Sequence, residues 1–258
     1  MTGGGTATAV WPVRVINMDG ATARMAKADA ALTGQGIAFE RFPAVVGAKL
    51  RDQERAAVYD EMANRSRFRH RLIGPELGCY LSHVALWRQL IVSDAPGMVI
   101  LEDDFAAAPH LAASLAALAA DQGDWDMVKL YARRPEARML STRPLIEGVS
   151  LAEPYQIPNT TLGYVIRRGA AEHLLDRLVP FSRPIDEDLK RFWEHGCAIR
   201  IILPPPLSFG EEAADAASIG KARRDGLRGG LAQGWRNLSY RLGYLARLHW
   251  HRLIGTGR

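Results

Sequence analysis

Three consecutive acids, Glu102-Asp103-Asp104, follow directly on the apolar run Met98-Val99-Ile100-Leu101. Like charges this close repel by several kcal/mol at intermediate dielectric, so the cluster calls for compensation. A hard divalent cation supplies it, taking one or two carboxylates together with the oxygens of a diphosphate. Side chains alternate along a strand, so Glu102 and Asp104 are expected to point one way, as ligands of Mn²⁺ or Mg²⁺, and Asp103 the other. The plainer reading of an acid after a strand is the N-cap of the next helix. The triplet alone does not choose between the two. Lys129 also lies on a predicted strand, where a buried ammonium needs a carboxylate or phosphate partner unless its stem carries it to water.

For the acids to stand at a sheet edge, the apolar run must be a central strand, entered through Pro96-Gly97. Val13 to Asn17 reads as a first buried strand, Ala21 to Gln35 as the helix after it, and Ile37 to Val46 as extended. A polar helix is expected from Asp52 to Ala63, and a long one, opened by Pro75, to about Val92. Its His83 reads as a hydrogen-bonded core residue. Leu111, Leu115 and Leu118 mark one face of a helix beyond the acids. Met127 to Tyr131, Leu162 to Arg167 and Ala198 to Leu203 are strand-like, while Ala170 to Leu178 and Glu187 to His195 are helical. The Arg-, Pro- and Glu-rich stretch from Arg133 to Pro158 is expected to be a long, partly mobile loop. This alternation predicts an α/β fold whose mainly parallel central sheet is flanked by helices. Such sheets bind ligands beyond the carboxyl ends of their strands, where the acids sit.

The chain has 258 residues, enough for one substantial domain. We assign it to residues 13–220, after a flexible N-terminus at 1–12. The two cysteines lie far apart, in no metal-ligand spacing, and point to a reducing compartment. No secretory leader and no long apolar span is visible, so a cytoplasmic location is expected. The net charge of +5 hides an asymmetry. Residues 221–258 carry nine Lys/Arg and one acid, a surplus of eight, which leaves the remainder at −3. Leu231, Trp235, Leu238, Leu242 and Leu245 fall near one helical stripe there, with Arg236, Arg241, Arg247 and Arg252 beside or across from it. A basic, aromatic-rich amphipathic helix reads as one lying on an anionic membrane surface. A helix packed on the domain is the plainer alternative.

Gly78-Cys79-Tyr80-Leu81-Ser82-His83, followed after a helix by Leu101-Glu102-Asp103-Asp104, resembles the hallmark pair of glycosyltransferase family 25. That is the bacterial lipopolysaccharide (lipooligosaccharide) glycosyltransferase family, related to the collagen galactosyltransferases. Val15 to Asp19 with Arg24-Met25 is similar to its opening segment, and Phe39 to Gly47 to its second strand and turn. Thr161 to Ile166 with Gly169-Ala170, Pro184-Ile185-Asp186, and Pro204 to Ile219 follow in the family's order. Val46 departs from the pattern, standing where the family commonly has an Asp, so any contact from that Asp is absent or made by Asp19.

The resemblance implies a GT-A-like fold, a UDP-sugar donor and inversion at the anomeric carbon, giving a β-galactoside or β-glucoside in surface-glycan assembly. Glu102 and Asp104 would hold the metal that bridges the UDP phosphates. Asn17, Asp19, Arg24, Ser82, Asp103 and Lys129 would serve the donor, and Thr161, Gly163 and Tyr164 the acceptor or sugar pocket. Inversion needs a separate carboxylate to take the acceptor proton. Asp186 is the first candidate and Asp188 the second, although both would also suit the start of a helix. Two rivals remain: a metal-dependent phosphohydrolase or nucleotidyltransferase using the same acids, and a non-catalytic nucleic-acid-binding protein using the tail.

Overall fold

The computed structural model describes residues 11–210 and 231–255. The expected N-terminal segment therefore lies outside the described residues up to position 10, as does the domain–tail boundary from 211. Trp11 and Pro12 already belong to the body. The Trp11 ring lies 5.8 Å from that of Trp125, and the Pro12 carbonyl accepts from the Val99 amide at 2.8 Å.

One sheet joins β1 (Val13–Asn17), β2 (Glu40–Pro43), β3 (Gly97–Glu102), β5 (Met127–Lys129), β6 (Met139–Ile146), β7 (Val149–Pro154), β8 (Gly163–Arg167) and β9 (Ile199–Leu203). Their order is β2-β1-β3-β8-β5-β9-β7-β6. A small antiparallel ribbon pairs β4 (Phe105–Ala107) with β10 (Leu207–Phe209). Six strands of the main sheet run one way, and β7 and β8 oppose them. The fold is α/β, as expected, with a mixed sheet of mainly common direction.

The period of two along β3 splits the interior into two layers. Met98 and Ile100 face a core built with α4 (Gly74–Ile91) and α6 (Arg168–Leu178), through Tyr80, Val84, Trp87 and Leu174. Val99 and Leu101 face the other core, with α1 (Thr22–Thr33) and α5 (Leu111–Ala120), through Leu32, Leu111 and Leu115. Strand β3 is thus covered on both faces, which is why its sequence is apolar throughout.

Three expectations are corrected. The stretch predicted as a loop at 133–158 holds the hairpin β6–β7, turned at Gly148 with φ +70°. β6 is the sheet's outer strand and largely exposed, so it needs no apolar pattern and tolerates Pro144. The helix expected at 52–63 is two, α2 (Asp52–Val58) and α3 (Glu61–Arg67). Between them Tyr59 turns into the core and Asp60 caps α3, accepting from the Ala63 amide at 2.8 Å. The segment 187–195 is likewise broken, into α7 (Ile185–Leu189) and α8 (Phe192–His195), ended by Gly196 at φ +72°. In the tail, α9 (Leu231–Leu253) packs on the domain through buried Tyr244 and Leu248. Among the described residues no helix is long and apolar enough to cross a membrane.

Candidate active site

A cleft of about 530 Å³ opens beyond the carboxyl ends of β3 and β5. Glu76 and Cys79 of α4 line one wall, Pro158 to Thr161 and Pro184 to Asp186 another, and Tyr131, Arg133 and Phe209 the rim. Of the three acids, Glu102 is the one that lines it. The strand ends at Glu102 and the chain bends at residues 103 and 104, so the expected alternation is not carried through.

Glu102 is held from below by a buried polar relay. Trp87 can only donate, and its Nε1–H reaches the Tyr164 hydroxyl oxygen at 3.0 Å. The Tyr164 proton then serves His83 Nδ1 at 2.9 Å, which assigns the imidazole proton to Nε2, 3.5 Å from Glu102 Oε1. The Thr161 hydroxyl donates to the same carboxylate oxygen. Burial pushes the Glu102 carboxyl up, but His83, Thr161 and the Lys129 charge outweigh it and hold it below its ordinary value. Glu102 is ionised at neutral pH.

Asp103 turns the other way. It accepts from Asn17 Nδ2 at 2.5 Å and pairs with Arg24 at 3.1 Å. Arg41 of β2 donates to Asn17 Oδ1 at 2.8 Å and pairs with exposed Asp19 at 2.6 Å. Asn17, Asp19, Arg24 and Asp103 therefore meet at the ends of β1 and β3, as one polar cluster. Asp104 has a buried Oδ1 with no hydrogen-bond partner among the described residues. Its burial and the charges of Glu102 and Asp103 raise its pKa to about 7.

Lys129 is buried beneath the cleft, donating to the Thr160 carbonyl. Burial lowers its pKa to about 8, against the opposing pull of Asp186 and Glu102, so the ammonium lies within the field of both carboxylates. Asp186 is half-buried, lines the cleft, and accepts from the Glu187 amide at 2.9 Å.

The other expected site residues lie elsewhere. Asp188 is buried, accepting from Arg183 Nε at 2.5 Å and Tyr80 at 3.0 Å, and does not reach the cleft. Ser82 donates to the Gly78 carbonyl at 2.8 Å and accepts from the Val45 amide at 2.9 Å, so its hydroxyl is spent on tying a loop to α4. Tyr164 is fully buried in the relay under Glu102. At Gly163 a Cβ would meet Leu207 at 2.4 Å and Leu101 at 2.9 Å, so this glycine is required by core packing. Thr161 alone of the three residues expected in the acceptor pocket lines the cleft. For Ser82, Gly163 and Tyr164 the reason is the same. Central strands and α4 are buried on both sides, and only their ends reach solvent.

Residues 11–189 match the family described as glycosyltransferase family 25 (LPS biosynthesis protein). The chain belongs to that family. Within glycosyltransferase family 25, a family member from Anopheles gambiae is 30% identical over 189 residues, which is 69% of this chain and 31% of the relative. Procollagen galactosyltransferase 1 of Danio rerio is 30% identical over 125 residues, covering 44% of this chain and 19% of the relative. Procollagen galactosyltransferase 2 of Homo sapiens is 28% identical over 118 residues, with the same coverage. This chain matches less than a third of the length of each.

In this family member the oxygen donors fit a hard cation. Asp104 presents a buried oxygen with no partner among the described residues, and its carboxyl is held up first by burial and then by the charges of Glu102 and Asp103, which a cation would offset. A second donor group, Cys79, His83 and Glu102, has ligand atoms within 4.8 Å of one another. Its sulfur and nitrogen suit a softer ion, and burial and the Glu102 charge push the Cys79 thiol well up, which keeps it protonated. Arg41, Tyr131, Arg133, Asn159 and Phe209 were not singled out from the sequence. They lie on rims and an outer strand, where no periodic pattern marks them. His83 was read as a core histidine, and it is buried, but its free nitrogen faces the site acid.

Proposed function

We propose that this chain is an inverting hexosyltransferase that moves galactose, or failing that glucose, from a UDP-sugar to a saccharide acceptor in surface-glycan assembly. The observation that carries the reading is the pair of carboxylates, Glu102 and Asp186, brought to one cleft from different elements. Two relatives named as procollagen galactosyltransferases favour galactose as the transferred sugar.

In this reading Glu102 and Asp104 would hold Mn²⁺ or Mg²⁺, which would supply positive charge to the departing diphosphate. The cluster of Asn17, Asp19, Arg24 and Asp103 takes the nucleotide. Lys129 fixes the Thr160 carbonyl, and so the loop that carries Thr161, and adds a positive charge beneath the donor. Asp186 takes the proton of the attacking acceptor hydroxyl. Its place in the same cleft as Glu102, on a different element, suits inversion, in which nucleophile and leaving group act on opposite faces of the sugar. Tyr131 and Phe209, in edge contact with ring centroids 5.0 Å apart, offer an apolar rim against which a sugar face can rest. A saccharide acceptor carried on a lipid would bring the protein to the inner face of the cytoplasmic membrane.

The test is nucleotide release from UDP-galactose, UDP-glucose, GDP-sugars and CMP-sugars with Mn²⁺, with and without an oligosaccharide acceptor. UDP release that depends on acceptor is expected. Asp186→Asn should lower kcat by about 10²–10⁴-fold while leaving donor affinity nearly unchanged. Release of phosphate or pyrophosphate instead of UDP, or full activity in Asp186→Asn, would falsify the reading.

A further inference from the structure

Helix α9 has two apolar sides, and only one of them meets the domain. The inner side is fixed along its length. Tyr240 donates to Glu187 and accepts from Arg191 at 2.5 Å, Lys190 sits over the Tyr244 ring at 4.4 Å, and Leu248 is buried. His251 stacks on Trp193 with centroids 5.5 Å apart, and Arg252 pairs with Glu153 at 3.0 Å.

The outer side carries Trp235, Leu238, Leu242, Leu245 and Leu253, spaced by three, four, three and eight residues. At 100° per residue these form one stripe about 80° wide, centred roughly 130° around the helix from Tyr244 and Leu248. Trp235 and Leu253 are exposed by 73% and 83%, Leu242 and Leu238 are about half exposed, and Leu245 is the most covered at 36%. Arg241 lies about 40° beyond one edge of the stripe, Arg236 and Arg247 lie roughly 100–120° beyond the other, toward the domain, and all three are exposed.

The fold adds a second observation. Arg236 comes beside a basic run, Arg65 to Arg71, at the end of α3, sharing a hollow of about 250 Å³ with Arg65, Arg71 and Glu61, which pairs with both arginines. Arg69 of the same run lies against the Tyr240 ring at 5.7 Å. Positive charge distant in sequence is thus gathered around the foot of the apolar stripe.

We propose that α9 is a membrane-docking helix whose outer stripe lies at the headgroup–acyl boundary of an anionic bilayer, with its flanking arginines on lipid phosphates. A narrow apolar stripe edged by cations, with tryptophan among its residues, is what that interface solvates best. A second copy of the chain is a poor occupant, because it would set exposed Arg236, Arg241 and Arg247 near their own copies, with no acid on the described helix to offset them. Nucleic acid would meet the charge but would leave the leucine stripe in water. Because the inner face is bolted to α7 and α8, docking would hold the domain in one orientation to the surface.

The experiment is co-sedimentation of the full chain with vesicles of phosphatidylcholine alone, or of phosphatidylcholine with phosphatidylglycerol. It needs no substrate, so its failure would leave the transferase reading untouched. Binding is expected to the anionic vesicles only and to weaken as salt is raised. Replacing Trp235, Leu238 and Leu242 together by Ser should cut binding by at least about tenfold, since the apolar area removed from water on docking is then lost. The unfolding temperature of that variant should stay close to the wild-type value, because the three side chains are largely exposed and none belongs to the core. Equal vesicle binding by the triple variant would overturn the inference. So would a wild-type dimer in solution that the triple variant dissolves, or binding to duplex DNA in preference to vesicles.

Discussion

Asp186 and Asp188 stand two residues apart in one short helix, yet their environments assign them different work. Asp186 looks into the cleft from the first turn. Asp188 is buried, and Arg183 and Tyr80 each donate to one of its two oxygens. A substrate proton cannot reach it. A second buried titratable group, His195, makes a prediction about pH. Its Nε2–H donates to the Leu189 carbonyl at 3.0 Å and its Nδ1 accepts from the Cys197 amide at 3.1 Å, so the neutral ring is satisfied and protonation would break the second bond. Burial lowers its pKa to about 4, from an ordinary value of 6.5. Between those values the unfolded chain takes up a proton that the folded chain refuses, so stability is full above pH 6.5 and falls as pH drops toward 4. Urea unfolding at pH 7 and pH 4.5 should show His195→Gln losing less than wild type over this window, by up to about 3 kcal/mol. Equal losses in the two proteins would remove His195 as the cause.

Helix α4 is the element on which the site depends, because its first turns bring Glu76 and Cys79 to the cleft and its middle brings His83 under Glu102. Its start is set by Glu76, which accepts from the Ile73 amide at 3.0 Å. Its lateral position is set by two glycines. A Cβ on Gly78 would meet the Val45 carbonyl oxygen at 2.2 Å, and one on Gly47 would meet the Gly74 carbonyl oxygen at 2.1 Å. Backbone therefore lies on backbone, and Ser82 locks the contact through Val45. Gly78→Ala should cost about 1–3 kcal/mol and push the turn off the helix. Its thermal midpoint should fall, and donor affinity with it, more than in an alanine substitution at exposed Gly169, where a Cβ meets nothing within 4 Å. The family resemblance pointed to this stretch without supplying a reason. The reason is close packing, and it accounts for the loop at Val46 being held although it lacks an acid.

At the scale of the whole molecule, the tail is both things that were weighed for it: a helix packed on the domain and a helix with an uncovered amphipathic face. Its deletion is consequently a poor probe of surface binding, since it would also uncover the ground on which Tyr244 and Leu248 rest. The two sides can be separated by substitution. Leu248→Ala should destabilise the protein by roughly 3 kcal/mol and leave vesicle binding at the wild-type level wherever the protein is folded. A drop in binding without a drop in unfolding temperature would mean that the inner side, and not the outer stripe, meets the lipid.

The sequence alone determined β1, β3, α4, α6 and the acids at the end of β3, because hydrophobic period and strand length are local properties of a buried element. It also held the family resemblance, which rests on short strings in a fixed order. It did not show the β6–β7 hairpin, since an exposed outer strand carries no apolar alternation to read. Nor did it show which polar residues reach the cleft. Asp186 and Asp188, or Thr161 and Tyr164, differ in sequence by two or three positions and in space by which side of a packed layer they face. Tertiary packing made that choice, because desolvating a charge is tolerated only where another chain segment supplies its partner, and such partners come from residues far away in the sequence.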